Sequence, residues 1–246
     1  MIAIISDIHA NLEALQAVFE DINNKGIETI YCLGDIIGFG PNPRECIQMV
    51  KSRCIFSIAG DHEEGILVGY EKFFGYKAKI IVEWTRNEIN SEKYNKKEND
   101  ELWNFLKELP KIVCKDNLAF GHGSIKSCTE CVTPTASSCE LKLIFEQFAH
   151  ICFCGHTHIP GIFTNDYQYH YAGHIDNLFQ VYNKVFINVG SVGQPRDGNP
   201  QACYVIFDGQ FVRWRRVTYN YKKTMKKIMA IDDLDDMLAH RLEHGR

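Results

Sequence analysis

The sequence predicts an α/β fold, and three observations predict it. Short apolar runs rich in β-branched and aromatic residues, closed by Gly or Asp, read as buried strands. Through Ala59 these runs alternate with amphipathic helical stretches, the strand–helix–strand order of a parallel sheet. Five of the runs end beside an Asp or His, at the place where open α/β sheets collect ligands beyond the carboxyl ends of their strands.

The first strand is Ile2 to Ile5, which runs directly into Ser6-Asp7 with no basic region or cleavage site, so it is read as a strand and not a signal peptide. Asn11 to Asn24 carries Leu12, Leu15, Val18, Phe19 and Ile22, a helical stripe that stops near Gly26. A strand over Ile27 to Leu33 leads into the Gly38-Phe39-Gly40-Pro41 loop. A helix is expected from about Asn42 to Lys51, with Pro43 in its first turn. The run Cys54 to Ala59 supplies the next strand. Residues 64–112 then read as a helical insertion, with helices over Ala78 to Glu88 and Glu98 to Leu109 separated by a polar segment.

The second half is strand-rich: Ile112 to Cys114, Leu118 to Phe120, Ile151 to Cys154, Gly161 to Thr164, Lys184 to Val189, Ala202 to Phe207 and Phe211 to Thr218. Asp208-Gly209 joins the last two as a hairpin. A charged helical tail is expected from about Lys222 to His244. With no repeat and no linker, residues 1–246 are expected to form a single domain, its insertion at about 64–112 and its tail at about 222–246.

Composition narrows the class. The chain has 246 residues, 45% of them hydrophobic, enough for a full core without disulfide staples. Its longest apolar runs fall far short of a membrane span. Ten cysteines in a chain of this length, without an export signal, are expected as reduced, mostly buried thiols of a cytoplasmic protein. Cys128 and Cys131 with Cys139 lack a fourth zinc ligand at matching spacing, so free loop thiols are expected there; Cys152 and Cys154 are expected on the core side of their strand. A net charge of −4 argues against a general nucleic-acid surface. The basic residues Arg213, Arg215, Arg216, Lys222, Lys223, Lys226 and Lys227 fit strand alternation followed by a solvated helix face.

The five islands carry the chemistry. They read Asp7-Ile8-His9, Gly34-Asp35, Gly60-Asp61-His62-Glu63, Gly121-His122-Gly123 and Gly155-His156-Thr157-His158. Asp and His two residues apart at a fraying strand end can both turn toward one ion. Glycines beside them let backbone approach a crowded site. Carboxylate and imidazole donors together suit Mn, Fe, Ni, Co or Zn better than Ca or Mg. Asn11 and Ser124 adjoin these islands and are candidates for hydrogen bonds to substrate or to the ligands. Arg196, in a polar turn after a strand, offers a guanidinium that matches phosphate geometry, with a surface salt bridge as the other reading. His150, His170, His174, His240 and His244 have no such context, although His170 and His174 lie in an aromatic-rich loop.

In this order and with these flanks, the islands resemble the D-x-H, G-D, G-N-H-[DE], H and G-H-T-H pattern of calcineurin-like metallophosphoesterases, in particular the YfcE-like branch of small prokaryotic phosphodiesterases. The similarity covers nearly the whole chain and extends to Glu83-Trp84-Thr85 and to Asn188-Val189-Gly190-Ser191-Val192-Gly193-Gln194-Pro195-Arg196-Asp197. It implies a four-layer α/β/β/α sandwich with a dinuclear centre between the sheets. It further implies that Asp7, His9, Asp35 and His158 hold one metal, that Asp61, His122 and His156 complete the second, and that Asp35 bridges. Two such ions, about 3.5–4 Å apart, can share a hydroxide and clamp both the attacking and the leaving oxygen of an in-line displacement. His62 would contact the phosphoryl group and protonate the leaving oxygen. The implied function is hydrolysis of a nucleotide-like phosphodiester or phosphomonoester by metal-activated hydroxide. The implied partner is a small phosphoester, not a membrane or a nucleic acid.

Two departures from the pattern qualify this. Asp61 stands where the family has asparagine. A carboxylate cannot donate to phosphate and adds a negative charge. Two divalent ions (+4) against Asp7, Asp35 and Asp61 (−3) leave +1, where asparagine would leave +2 and a mixed Fe(III)/M(II) pair would restore +2. And the G-D-x-V-D-R-G of the Ser/Thr phosphatases is here Gly34-Asp35-Ile36-Ile37-Gly38-Phe39-Gly40, without the second Asp or the Arg. A dinucleoside-polyphosphate hydrolase, or a non-catalytic metal-binding scaffold of the same fold, are the alternatives.

Overall fold

The strand Ile2–Ile5 (β1) is the centre from which the architecture grows, because its two faces serve two different cores. The structure, a computed structural model, describes residues 1–69, 76–173 and 178–246. Ala3 and Ile5 face helices, while Ile4 faces a second sheet, the period-two alternation of a strand buried on both sides. The helix Leu12–Asn24 (α1) follows, then the strand Thr29–Cys32 (β2), the helix Pro43–Arg53 (α2) and the strand Phe56–Ser57 (β3). β1, β2 and β3 pair in parallel, as their helical crossovers require.

Three helices come next: Asp61–Val68 (α3), Tyr76–Ile89 (α4) and Lys96–Glu108 (α5). The chain then forms strands Ile112–Lys115 (β4) and Leu118–Gly121 (β5), the helix Ser138–Phe145 (α6), and strands Ile151–Cys154 (β6), Gly161–Thr164 (β7), Tyr169–Tyr171 (β8), Leu178–Gln180 (β9), Val185–Asn188 (β10), Ala202–Phe207 (β11) and Phe211–Val217 (β12). Helices Tyr221–Met229 (α7) and Asp236–His244 (α8) close it.

Among the described residues the strands form two six-stranded sheets, ordered β3-β2-β1-β11-β12-β9 and β4-β5-β6-β10-β7-β8. Between them lies a core of Ile4, Leu33, Phe120, Phe153, Ile187, Val205, Phe207 and Trp214. α1 and α2 cover the outer face of the first sheet through Leu15, Val18, Ile47 and Val50. α6 covers the second through Leu141, Ile144 and Phe145, packed on Cys152, Cys154 and Phe186. Helix, sheet, sheet and helix are therefore the layers the resemblance implies. Cys152 and Cys154 do face a core, the one beneath α6, and all ten cysteines are free.

The insertion packs on α2 and is clamped by Arg44. This buried guanidinium donates to Asn99 Oδ1 at 2.8 Å and to the Ile89 carbonyl, and lies 3.8 Å from the Tyr94 ring centroid. It thereby caps the C-terminal end of α4, where a cation is favoured by the helix dipole. α7 lies on α1, its Lys223 and Lys227 reaching Glu13 Oε1 at 3.1 and 2.7 Å. Arg215 and Arg216 of the basic stretch pair with Asp21 and Asp197.

The structure departs from the sequence reading at short elements. The run Cys54 to Ala59 contributes only a two-residue ladder, and a helix that the sequence reading does not include follows Gly60. α6 arises inside the segment after Ser124, nucleated by a capping box in which Ser137 and Glu140 serve each other's backbone N–H. Part of the aromatic-rich segment forms edge strands β8 and β9; His170 is exposed on β8, and His174 lies outside the described residues. The tail breaks in two where Asp235 accepts from Met237 N and starts α8. No helix among the described residues is long and apolar enough to cross a membrane.

Trp214 is the largest fully buried side chain between the sheets, and its Nε1–H donates to the Asn188 carbonyl at 2.9 Å. Trp214→Ala is expected to lower unfolding free energy by about 3–5 kcal/mol, read from urea denaturation.

Candidate metal centre

Five of the nine non-glycine residues with left-handed backbone among the described ones are Asp7, His9, Asp35, His156 and His158, with φ of 54°, 47°, 51°, 65° and 61°. Such a conformation costs about 1–2 kcal/mol for each L-residue, so something must hold these loops open. A web of backbone bonds does. Ile8 N and His9 N both donate to Asp35 O, at 2.8 and 2.9 Å, and Gly193 N donates to Asp7 O at 2.9 Å. Gly155 N donates to His122 O at 2.8 Å. Gly34, at φ +91°, presses against the backbone of Gly60, so no Cβ fits between them.

Side chains finish the work. Ser191 Oγ donates to Asp7 O at 2.8 Å. Asn188 Nδ2 donates to Thr157 Oγ1 at 2.9 Å and to the Gly155 carbonyl, bracketing His156. The segment from Asn188 to Gln194 is therefore a brace between the Asp7 and His156 loops.

These constraints bring the seven predicted ligands together in two adjoining groups, spanned by a third of His9, Asp35 and His62. Asp35, Asp61, His122 and His156 form one and Asp7, His9 and His158 another; within each, the donor atoms lie within 4.8 Å of one another. His122 Nε2 is 3.0 Å from Asp61 Oδ1 and 3.3 Å from Asp35 Oδ2. His156 Nδ1 is 2.9 Å from Asp61 Oδ1, and His158 Nε2 is 3.1 Å from Asp7 Oδ1. Asp35 Oδ2 also lies 3.6 Å from His9 Nε2, so one oxygen faces both groups.

The donor chemistry fits cations. His9, His122 and His158 each direct Nδ1 at a backbone carbonyl, of Ile37, Leu33 and Gln194, with the first two at 3.3 and 2.7 Å. A carbonyl only accepts, so Nδ1 carries a proton and Nε2 is the nitrogen whose lone pair a cation would take, in His122 by displacing a second proton. The Nε2 atoms of His9 and His158 face each other at 3.1 Å, an arrangement of two lone pairs that a cation between them would relieve. Charges are equally crowded. Burial and the neighbouring Asp61 hold the Asp35 carboxyl well above its ordinary range. Burial opposes ionisation of Asp61 too, but His122 and His156 outweigh it and hold that carboxyl low. Burial would lower the His122 pKa, yet Asp35 and the other carboxylates raise it well above normal.

His62 starts α3 beside the cluster. Its backbone N–H donates to Asp35 Oδ1 at 3.0 Å, and its ring lies 4.9 Å from that of His9 and 4.6 Å from that of Phe39. Burial lowers its pKa to about 4, despite the opposing pull of Asp61. Arg196 has no ion-pair partner among the described residues, although Asp7, Asp35 and Asp61 oppose the lowering of its pKa by burial; its Nε and Nη2 donate to Gln194 Oε1 at 3.3 and 2.9 Å.

Asn11 is placed otherwise than the sequence reading expects. Its Nδ2 donates to Gly193 O at 2.8 Å and to Tyr219 Oη at 3.1 Å, while Oδ1 accepts from Ala14 N at 3.3 Å and Thr224 Oγ1 at 2.9 Å. All four hydrogen-bonding valences of the amide are filled by scaffold, so none remains for substrate. Ser124 likewise serves its own turn, accepting from Lys126 N and Ser127 N.

Glu63 is the residue sequence reasoning passes over. Fully buried, its Oε2 accepts from Asp35 N at 2.7 Å and Gly60 N at 2.9 Å, and its Oε1 from Ile36 N at 2.9 Å and Ile37 N at 3.2 Å. One carboxylate thus joins the Asp35 loop to the Asp61 loop. A glutamate three places after a glycine that starts a helix is a capping signal, which could have marked it.

Comparison with known proteins gives a consistent set of likenesses. Residues 1–210 match the model of the calcineurin-like phosphoesterase superfamily domain. An uncharacterized protein of Methanocaldococcus jannaschii is 37% identical over 257 residues, spanning 100% of this chain and 98% of that relative. The crystal structure of a metallophosphoesterase from Sphaerobacter thermophilus superposes with TM-score 0.82 at 31% identity, covering 100% of this chain and 99% of its own. A hypothetical protein from Pyrococcus horikoshii shares the fold, with TM-score 0.77 at 19% identity and the same coverage of 100% and 99%.

Glu63→Gln would turn an amide NH₂ against backbone donors, leaving buried N–H groups unmet. A loss of about 1–3 kcal/mol is expected in urea denaturation, with a fall in manganese affinity by calorimetry. An unchanged pair of values would show that the four bonds do not set the Asp35 loop.

Proposed function

Because this chain belongs to the calcineurin-like phosphoesterase superfamily, we propose that it hydrolyses a small, nucleotide-like phosphodiester or phosphomonoester at a pair of transition-metal ions. The observation that carries this reading is Asp35 Oδ2, which faces His9 Nε2 at 3.6 Å on one side and His122 Nε2 at 3.3 Å on the other. In the proposal Asp7, His9, Asp35 and His158 hold one ion, and Asp35, Asp61, His122 and His156 hold the second. Imidazole and carboxylate donors select Mn, Fe, Ni or Zn. When bound, the ions supply Lewis acidity and lower the pKa of water between them.

The chain's own residues supply the rest. In the proposal His62, at the edge of the cluster and packed against Phe39, contacts a phosphoryl oxygen; because burial lowers its pKa to about 4, it protonates the leaving oxygen only when the incoming phosphate's charge raises that pKa. Arg196 offers its Nη1, which has no protein acceptor among the described residues, to a non-bridging oxygen. Free thiols throughout fit a cytoplasmic setting.

Asp61 favours one second reading. It sits in the ligand position itself, 3.0 Å from His122 Nε2, and lowers the net charge of the loaded site to +1 with divalent ions. That favours a mixed Fe(III)/M(II) pair, a slow enzyme, or a scaffold that keeps metals without turnover.

Manganese-loaded protein is expected to hydrolyse a chromogenic phosphodiester, with the rate lost in Asp35→Ala and reduced about 10²–10⁴-fold in His62→Ala. A zero rate with every transition metal in folded protein would leave the scaffold. Asp61→Asn is expected to be faster with divalent ions; metal analysis that finds only divalent ions, together with an Asp61→Asn rate no higher than that of the unaltered protein, would defeat the charge argument.

A further inference from the structure

The loop between β2 and α2 carries a strained residue that is not among the candidate ligands. Gly40 N donates to Gly38 O at 2.7 Å, which closes a three-residue γ-turn with Phe39 at its centre and a φ of 60°. Left-handed backbone is costly for an L-residue, and phenylalanine has no polar side-chain atom to recover the cost by a local hydrogen bond. The glycines on both sides lock the turn in place. A Cβ on Gly38 would strike the imidazole of His62, and one on Gly40 would strike the carbonyl of His9. Strain of this kind at a non-glycine residue points to a function for the side chain it aims.

That side chain is a ring set against two others. Its centroid lies 4.6 Å from that of His62 at an interplanar angle of 66°, and 4.8 Å from that of His9 at 53°. His9 and His62 themselves stand 4.9 Å apart, so the three rings meet in tilted and edge-to-face contacts, the arrangement aromatic groups prefer. On another side Phe39 packs on the cluster of Trp84, Leu238 and Leu242, and it shares a small void with His9 and the two leucines. Trp84 comes from the insertion and the leucines from α8, so both elements press on one residue. His62 needs such support. Gly38 bounds one edge of its imidazole, but Ile66, Ile81 and Thr85 line a second small void with it, and the packing there is loose. The contact with Phe39 therefore decides which position the imidazole takes.

We propose that Phe39 is a positioning residue for His62: its ring, aimed by the γ-turn and backed by α8, holds the imidazole where it meets the phosphoryl group. This rests on the phosphoesterase reading and deepens it, because it ties the role of His62 to the tail. Phe39 acts through His62 and ligates nothing. Its backing from α8 lies beyond residues 1–210, the part that matches the superfamily model.

Two measurements on the full-length protein test this. With manganese and a chromogenic phosphodiester, Phe39→Leu keeps apolar bulk against Leu238 and Leu242. It is expected to lower kcat about three- to tenfold with KM unchanged, the worth of one aromatic pair. In a His62→Ala background the same substitution is expected to change kcat about twofold at most, because the group it acts through is gone. Phe39→Tyr restores the ring and is expected to restore the rate. The second measurement needs no turnover. In zinc-loaded, diamagnetic protein the His62 ring protons, assigned by their loss in His62→Ala, are expected to give one sharp NMR signal that broadens or splits in Phe39→Leu. Phe39→Met reads the same quantities should the leucine variant not fold. An equal loss of rate with and without His62, or a His62 signal that stays single and sharp in both variants, would overturn the proposal. Failure of the phosphoesterase reading looks different: the unaltered protein turns over no ester, while the His62 signal still reports on Phe39.

Discussion

The position of the Asp35 carboxylate governs the rest of the site, and backbone, not side-chain packing, sets it. Asp35 has left-handed backbone, its carbonyl takes the N–H groups of Ile8 and His9, and its own N–H goes to Glu63. Its Oδ1 is engaged by His62 N, so only Oδ2 is left to face the two histidine groups. Three loops from the first sheet therefore meet at one residue. Displacing it would move Asp7, Asp61 and His62 together. The second sheet answers with His122, His156 and His158; Asn188 braces the loop of the last two, and Ser191 ties the same segment to Asp7 of the first sheet. The seven candidate ligands come from both sheets, and the intersheet core built around Phe120, Phe153 and Trp214 holds those sheets together.

What the sequence discloses follows from where the information is stored. β1, β2, β6, β10, β11 and β12 are legible because their burial is written in apolar periodicity, and the Asp208-Gly209 turn because φ reaches +103° at Gly209. The seven ligands are legible because few other reasons place Asp and His beside glycine at successive strand ends. α3 is hidden because its first turn, Asp61-His62-Glu63-Glu64, reads as a ligand island before it reads as a helix. α6, β8 and β9 are too short to carry a period. Glu63 stays hidden for a different reason: its partners are backbone N–H groups of residues 35–37, and backbone has no residue type. Asn11 misleads because adjacency to a motif in sequence says nothing of which way an amide faces.

The electrostatics of the cluster explain why its ligands are so firmly fixed. Bare, the buried carboxylates of Asp7, Asp35 and Asp61 repel, and the imidazoles and Arg196 moderate them. A flexible site would relieve this by swinging a carboxylate into solvent. Here the left-handed backbone, the glycine approaches and the Glu63 bonds forbid that escape, so the strain is available to be released by cations. Asp61 sharpens the effect. Relative to an amide it strengthens the attraction for a more highly charged ion and weakens the attraction of the loaded site for an anionic ester.

The tail is tied to the same site. α8 is anchored through Leu234, Leu238, Ala239 and Leu242 on Trp84 of the insertion, and its end is bonded to the turn that carries Arg196. The insertion and the tail, which share this cluster, are thus coupled to each other. Leu238 and Leu242 also line a small void with His9 and Phe39, so apolar packing around Trp84 sets the wall of the site on that side of the ligands.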